Sequence, residues 1–185
     1  MRSYPTASDY LAALRHDHTL AIVPLTLAAE ANGVTRAAVD RMLGLGQLEE
    51  IKIAGTRFVR TGSLIKRDQA WADQVALVRA ELEKIAADGA TTTYQPLMNK
   101  VGLSHSRPAD RRTIGKILGA IGRDTLQNHG IVLSVLVHYK GTDRPGPGFL
   151  NEFRDQVEPG YDDDDLIDRE MRRVWQYYRP KNVVE

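Results

Sequence analysis

The chain has 185 residues, a net charge of +1, 42% hydrophobic residues and no cysteine. That length suits one ordinary domain or two small ones. The missing cysteines exclude disulfides, thiolate metal sites and cysteine nucleophiles. No apolar run approaches the roughly 18 residues of a membrane span, and no signal-type stretch follows the first residues, so a reducing cytoplasm is expected.

Residues 8–15 place Tyr10, Leu11 and Leu14 at helical spacing behind Ser8, which predicts a short helix capped by that serine. Residues 25–43 hold two helical patterns separated by Gly33. A helix-turn-helix needs a small residue where the helices cross, a turn residue that accepts positive φ, and a β-branched anchor on the second helix. Ala29, Gly33 and Val39 supply these at four- and six-residue offsets, with Thr26 and Thr35 as the expected caps. With Val34, Val39 and Met42 turned inward, the second helix presents Thr35, Arg36, Ala37, Asp40 and Arg41. Arg36 can pair with a guanine edge, Ala37 can meet a thymine methyl, and Thr35 with its neighbouring amides can hold a phosphate. Asp40 is the one group there that repels phosphates. Residues 51–59 then alternate about a glycine turn, as a hairpin does.

From 68 to 88, Trp71, Val75, Val78, Leu82 and Ile85 recur four and three apart, the clearest helix in the chain. Its seam is expected to pack within the chain, with a second copy or a partner protein as the alternative occupant. Residues 93–103 read as a short capped helix stopped by Gly102. Ile114, Ile117, Leu118 and Ile121 mark a second helix bearing Arg111, Arg112 and Lys116. The β-branched run 131–137 has the length of a buried strand, 140–148 reads as a loop, and 165–178 reads as a closing helix preceded by four aspartates. Charge is uneven along this path. Residues 100–144 hold 8 Lys and Arg against 3 Asp and Glu, whereas 145–185 hold 6 against 10, so the acidic tail is a candidate to fold over the basic block.

Residues 24–66 resemble the excisionase and MerR-type winged helix-turn-helix. Gly46-Gln47-Leu48 matches its linker step, Gly55-Thr56-Arg57 its wing tip, and Ser63-Leu64 the start of its closing helix. Glu49-Glu50 departs from the pattern, standing where the family commonly has a proline. The resemblance implies duplex DNA binding, with the second helix in the major groove and the wing, through Lys52, Arg57 and Arg60, along the backbone. Residues 93–149 are more distantly similar to the DNA-binding half of O6-alkylguanine alkyltransferase-like proteins, in Thr93-Tyr94, Leu97 and the Arg112-to-Gly119 segment. With no cysteine, alkyl transfer is excluded, and a basic helix facing nucleic acid is what that resemblance leaves.

The histidines 16, 18, 105, 129 and 138 lack metal-ligand spacing, and no catalytic constellation is visible. His138 alone ends an apolar run beside a Gly/Pro loop, where polar groups can converge on a ligand. The expectation is therefore a mainly α chain with small β wings (α+β), two winged-helix-like units joined by a helix. The expected domains are 1–66, a connecting helix 67–90, and 91–185. The expected activity is sequence-specific binding of double-stranded DNA by a regulator of bacterial or phage type, without metal, cofactor, enzymatic reaction or membrane. Its rivals are an architectural recombination accessory, an antitoxin or immunity-type protein-binding module, and an enzyme acting on DNA.

Overall fold

The structure, a computed structural model, describes residues 2–157 and 162–180. The chain divides into two units, Met1–Ala72 and Asp73–Glu185, and is mainly helical with two small sheets, an α+β chain. The end of the second expected domain, 181–185, lies outside the described residues.

In the first unit α1 (Ala7–His16) begins one residue earlier than its periodicity suggests. Its cap is Thr6, not Ser8. The Thr6 hydroxyl accepts from the Asp9 amide at 3.2 Å while the Asp9 carboxylate accepts from the Thr6 amide at 3.1 Å. A capping box requires an acid or amide three residues on, and Ser8 has only Leu11 there.

Four strands form a sheet in the order β1-β3-β4-β2, from β1 (Arg2–Tyr4), β2 (Ile22–Pro24), β3 (Glu50–Ile53) and β4 (Thr56–Arg60). The expected hairpin is β3 with β4. Ala54 and Gly55 turn it with φ of 47° and 78°, the pair of left-handed residues that a two-residue connection needs. β1 lies parallel to β3, and β2 antiparallel to β4. At three residues each, both are too short for alternation to show in the sequence. Pleating sends Ile51, Ile53 and Phe58 toward Tyr10 and Leu20 on one face of the sheet. Val59 points the other way, into a cluster with Leu25, Ala28, Ala29, Val39, Leu48 and Leu64.

That second cluster seats α2 (Leu25–Ala31) and α3 (Arg36–Gly44). Thr26 does not cap α2. Pro24 holds the cap position without a side-chain bond, because the chain enters the helix directly from β2, where Pro24 pairs with Phe58. Gly33 takes φ +59° in the turn, and the Thr35 hydroxyl accepts from the Ala38 amide at 3.2 Å, capping α3 as expected. The long helix α4 (Thr61–Ala87) starts well before residue 68. The buried Ser63 hydroxyl fixes its first turn, donating to the Arg60 carbonyl at 2.8 Å and accepting from the Glu49 amide at 3.1 Å. Residues 61–72 of α4 fall in the first unit and the remainder in the second.

The second unit packs the end of α4 with β5 (Thr92–Thr93), α5 (Tyr94–Lys100), α6 (Pro108–His129), β6 (Val137–His138), α7 (Pro147–Val157) and α8 (Asp163–Tyr178). The α4 seam serves this core: Val78 and Leu82 are fully buried in it, and Val75 and Ile85 pack against it. Ile114, Ile117, Leu118 and Ile121 are buried as their spacing predicts. The run 131–137 is buried too, but it is not one strand. Leu133–Leu136 forms a 3₁₀ turn and only Val137–His138 is extended, parallel to β5. Side chains explain this: buried Glu170 accepts from the Val132 amide, and the Thr125 hydroxyl accepts from the Leu133 amide at 3.1 Å. With those donors satisfied, the segment needs no neighbouring strand. Beyond one His138–Pro145 bridge, the described residues of this unit contain no antiparallel pairing, so the second expected wing is not formed. The loop expected over 140–148 gives way to α7 at Pro147, where proline suits a first helical turn.

α7 approaches α6 closely through glycine. A Cβ on Gly122 would lie 2.6 Å from Phe153 Cζ and 2.8 Å from Ser134 Oγ, whereas one on Gly115, in the same helix, would meet open space. Gly122→Ala is therefore expected to destabilise the protein by about 1 to 3 kcal/mol through overpacking. Gly115→Ala is expected to stabilise it by about 0.5 to 1 kcal/mol through helix propensity. Urea unfolding of the two variants checks both signs. Removing the buried carboxylate in Glu170→Ala leaves the Val132 amide unpaired and is expected to cost about 2 to 4 kcal/mol, with Glu170→Gln costing less because it keeps an acceptor.

Candidate nucleic-acid interface

Because Val39 is fully buried and Thr35 caps the helix, the outward side of α3 is determined. Thr35, Arg36, Ala37 and Arg41 are exposed, and Asp40 is partly so. Arg36, Ala37, Asp40 and Arg41 fall on one side of a helix at these spacings. Among the described residues, Arg36 and Arg41 have no carboxylate partner.

The hairpin residues are placed by strand alternation. Glu50, Lys52, Arg57 and Val59 share the face that receives α3, since Glu50 is opposite Val59 and Lys52 opposite Arg57. There Arg57 bridges two carboxylates. Its Nη1 lies 2.7 Å from Asp40 Oδ1 on α3, and its Nε donates to Glu50 on β3. Glu50's hydrogen bond and the charge of both carboxylates hold the guanidinium's pKa above its ordinary value. Asp40 is thus neutralised by the hairpin, and its repulsion toward phosphates is offset. Lys52 stands 3.9 Å from the same Glu50.

Arg60 is three residues from Arg57 and so lies on the opposite face. Its Nε donates to the Thr19 carbonyl at 2.8 Å, its Nη2 to the Thr19 hydroxyl at 3.1 Å, and its Nη1 to Glu49 at 2.5 Å. The structure therefore brings Arg57 and Lys52 to α3 but turns Arg60 away. Sequence reasoning missed the Asp40–Arg57–Glu50 bridge. The period of two in the hairpin was the available signal for the Arg57–Arg60 split; the pairing with Asp40 had none.

In the second unit, Arg107, Arg111, Arg112 and Lys116 lie exposed at or beyond the N-terminal end of α6, and none has a carboxylate partner among the described residues. Arg111 donates to the His105 carbonyl at 2.7 Å. Elsewhere in this unit several arginines are neutralised, Arg79 by Glu83 and Asp124, Arg123 by Glu152, Arg154 by Asp163, and Arg173 by Glu170, while Arg172 and Arg179 are in no ion pair among the described residues. The acidic tail meets the basic block at Arg144 and, through Glu152, at Arg123, but not at Arg111, Arg112 or Lys116. Asp162 caps its own helix through the Asp165 amide at 2.9 Å, while Asp164 and Asp168 hold Arg144. The described residues include no cluster of three or more histidines and carboxylates placed for a metal, and no helix long and apolar enough to cross a membrane.

No family model, curated protein or solved structure matches the chain.

His138 stands apart from both cationic faces. It is 3% exposed, and burial lowers its pKa below the usual histidine value, opposed by the Val135 backbone and Asp143 and reinforced by Arg144. A depressed folded pKa means stability is present above the unfolded value of about 6.5 and is lost as pH falls toward the folded one. Folding stability of the wild type is thus expected to decline between about pH 7 and pH 5 more steeply than that of His138→Gln. Urea midpoints across that range check it.

Proposed function

We propose that the chain is a sequence-specific double-stranded DNA-binding protein, a transcriptional regulator of bacterial or phage type, whose first unit works as a winged helix-turn-helix. The observation that carries this reading is the distribution of unneutralised cations. Unpaired cations cluster on the outward side of α3, as Arg36 and Arg41, and over the N-terminal half of α6, as Arg111, Arg112 and Lys116, whereas the other arginines without a carboxylate among the described residues, such as Arg15, Arg172 and Arg179, are scattered. Free cations on an exposed helix release counterions when they meet phosphates, whereas a paired arginine must first give up its carboxylate. The excisionase and MerR-type resemblance of residues 24–66 supports the same assignment.

In this reading α3 enters the major groove. Arg36 reads a base edge, Thr35 and the first-turn amides hold a phosphate, and Ala37 meets a thymine methyl. Arg41 lies along the flanking backbone. Asp40 and Arg57 set the hairpin against α3 as positioning residues, with Lys52 the hairpin's freer cation. Arg111, Arg112 and Lys116 give the second unit its own phosphate-contacting surface. Near the α4 seam the exposed Trp71 and Leu77 are open to a second copy or partner protein, whereas Val78 and Leu82 are used internally.

Selection from random duplex DNA at physiological salt, followed by fluorescence anisotropy, tests the reading. Arg36→Ala is expected to lose about 1 to 3 kcal/mol and relax one base position, and Arg112→Ala to weaken all sequences alike and reduce the salt slope by about 1. Arg60→Ala is expected to leave base preference unchanged. Failure to retain any duplex at low salt overturns the proposal.

A further inference from the structure

We propose that the cavity between α6 and α7 binds a small neutral aromatic molecule with one hydrogen-bond donor, of the size and kind of indole. The site goes beyond the DNA-binding reading and does not depend on it. The cavity has a volume of about 250 Å³ and lies wholly within the second unit. An apolar cavity of about 150 Å³ takes benzene, so this one suits two fused rings or a ring with a substituent.

The walls are apolar and rigidly held. Leu118 of α6, Phe149 and Phe153 of α7, Val137 of β6 and Tyr94 of α5 line the cavity. The two phenylalanine rings pack on each other with centroids 5.6 Å apart. Tyr94 is backed by the Tyr139 ring at 5.3 Å and by Gly146, where a Cβ would lie 2.8 Å from the phenol oxygen. Aromatic surfaces fixed in this way receive a flat ring.

The space exists because glycine stands where side chains would otherwise project. Gly115 and Gly119, one helical turn apart on α6, and Gly148 at the start of α7 complete the lining. A Cβ on Gly115 or Gly148 would meet nothing within 4 Å, so packing requires neither glycine. Glycine weakens a helix interior relative to alanine, and at Gly115 it does so without serving the core. Keeping the cavity open gives that glycine a purpose.

Two polar groups set the chemistry of the ligand. Ser134 is 7% exposed, yet its hydroxyl makes no hydrogen bond among the described residues. The hydroxyl is not among the atoms sealed from solvent, so its remaining access is through the cavity it lines. A buried hydroxyl without a partner calls for a polar atom on the occupant. Glu152 is the only charged side chain of the lining, and its Oε1 is already paired with Arg123. Its Oε2 makes no hydrogen bond among the described residues and lies over Gly119, 3.0 Å from the position of a Cβ there. With the charge met by Arg123 the cavity has no demand for a cation, and the free carboxylate oxygen disfavours an anion. A neutral ring system whose N–H donates to the Ser134 hydroxyl satisfies both groups, whereas a pure hydrocarbon leaves that hydroxyl unpaired.

Amide NMR of the full ¹⁵N-labelled chain, with indole as the probe, tests the site. Indole is expected to shift the amide signals of Gly115, Gly119 and Ser134 saturably, with a dissociation constant on the order of 1 mM. Indene, which has the same shape without the N–H, and indole-3-carboxylate, which adds a negative charge, are each expected to bind about tenfold more weakly. Ser134→Ala is expected to weaken indole by about tenfold and to leave indene unchanged. Signals at these three residues that are indifferent to indole overturn the proposal. Indene or the carboxylate binding as tightly as indole does so too, on the wild type and so independently of how the variant folds, as does a folded Ser134→Ala variant that binds indole as the wild type does.

Discussion

Val39 is the residue on which the candidate interface depends. It is wholly buried against Ala28 and Ala29, and that contact sets both the closeness of α2 to α3 and the rotation of α3 about its own axis. A helix anchored along one stripe has no freedom in what its opposite stripe displays. Thr35, Arg36, Ala37 and Arg41 are outward because Val39 is inward. Gly33 makes the anchoring affordable, since the short turn requires a positive φ that a residue with a Cβ adopts only under strain.

Charge organises what that geometry exposes. Asp40 taken alone is a negative charge on the otherwise cationic outward side of α3. Bridged by Arg57 to Glu50, it becomes part of a neutral link between α3 and the hairpin, and the adjacent cations stand out by contrast. The same division recurs on α6, where Arg123 is spent on Glu152 while Arg112 and Lys116 are not. Partly exposed ion pairs of this kind contribute little to folding, so their main effect is on where positive potential survives.

The second unit solves a different problem, burying an irregular segment. Residues 131–136 run through the core with few strand partners, and their backbone donors are met by the Glu170 carboxylate and the Thr125 hydroxyl. Glu170 in turn holds Arg173, whose Nη2 donates to the Gly130 carbonyl at 2.6 Å. This polar network and the Gly122–Phe153 contact bring α6, α7 and α8 around one core. The threonines of β5 and the 139–144 turn then sit at its edge, with His138 beneath them.

Periodic and local features were legible in the amino-acid sequence alone. The stripes of α3, α6 and the middle of α4, the capping by Thr35, the turn at Gly33 and the β3–β4 hairpin all repeat at helical or strand spacing or rest on residues a few positions apart. Other features belong to the folded chain. These include the three-residue strands β1 and β2, the 3₁₀ path of Leu133–Leu136, α7 behind its proline-rich entry, and the partners of Arg57, Arg60 and Glu170. Most depend on distant groups: β1 pairs with residues 49 positions on, Glu170 reaches Val132 across 38, Arg57 reaches Asp40 across 17, and Arg60 reaches Thr19 across 41. Spacing along a polymer reports which side of an element a residue occupies. Which charge or acceptor waits opposite is decided only when distant elements pack, and that pairing is what separates the free cations from the neutralised ones.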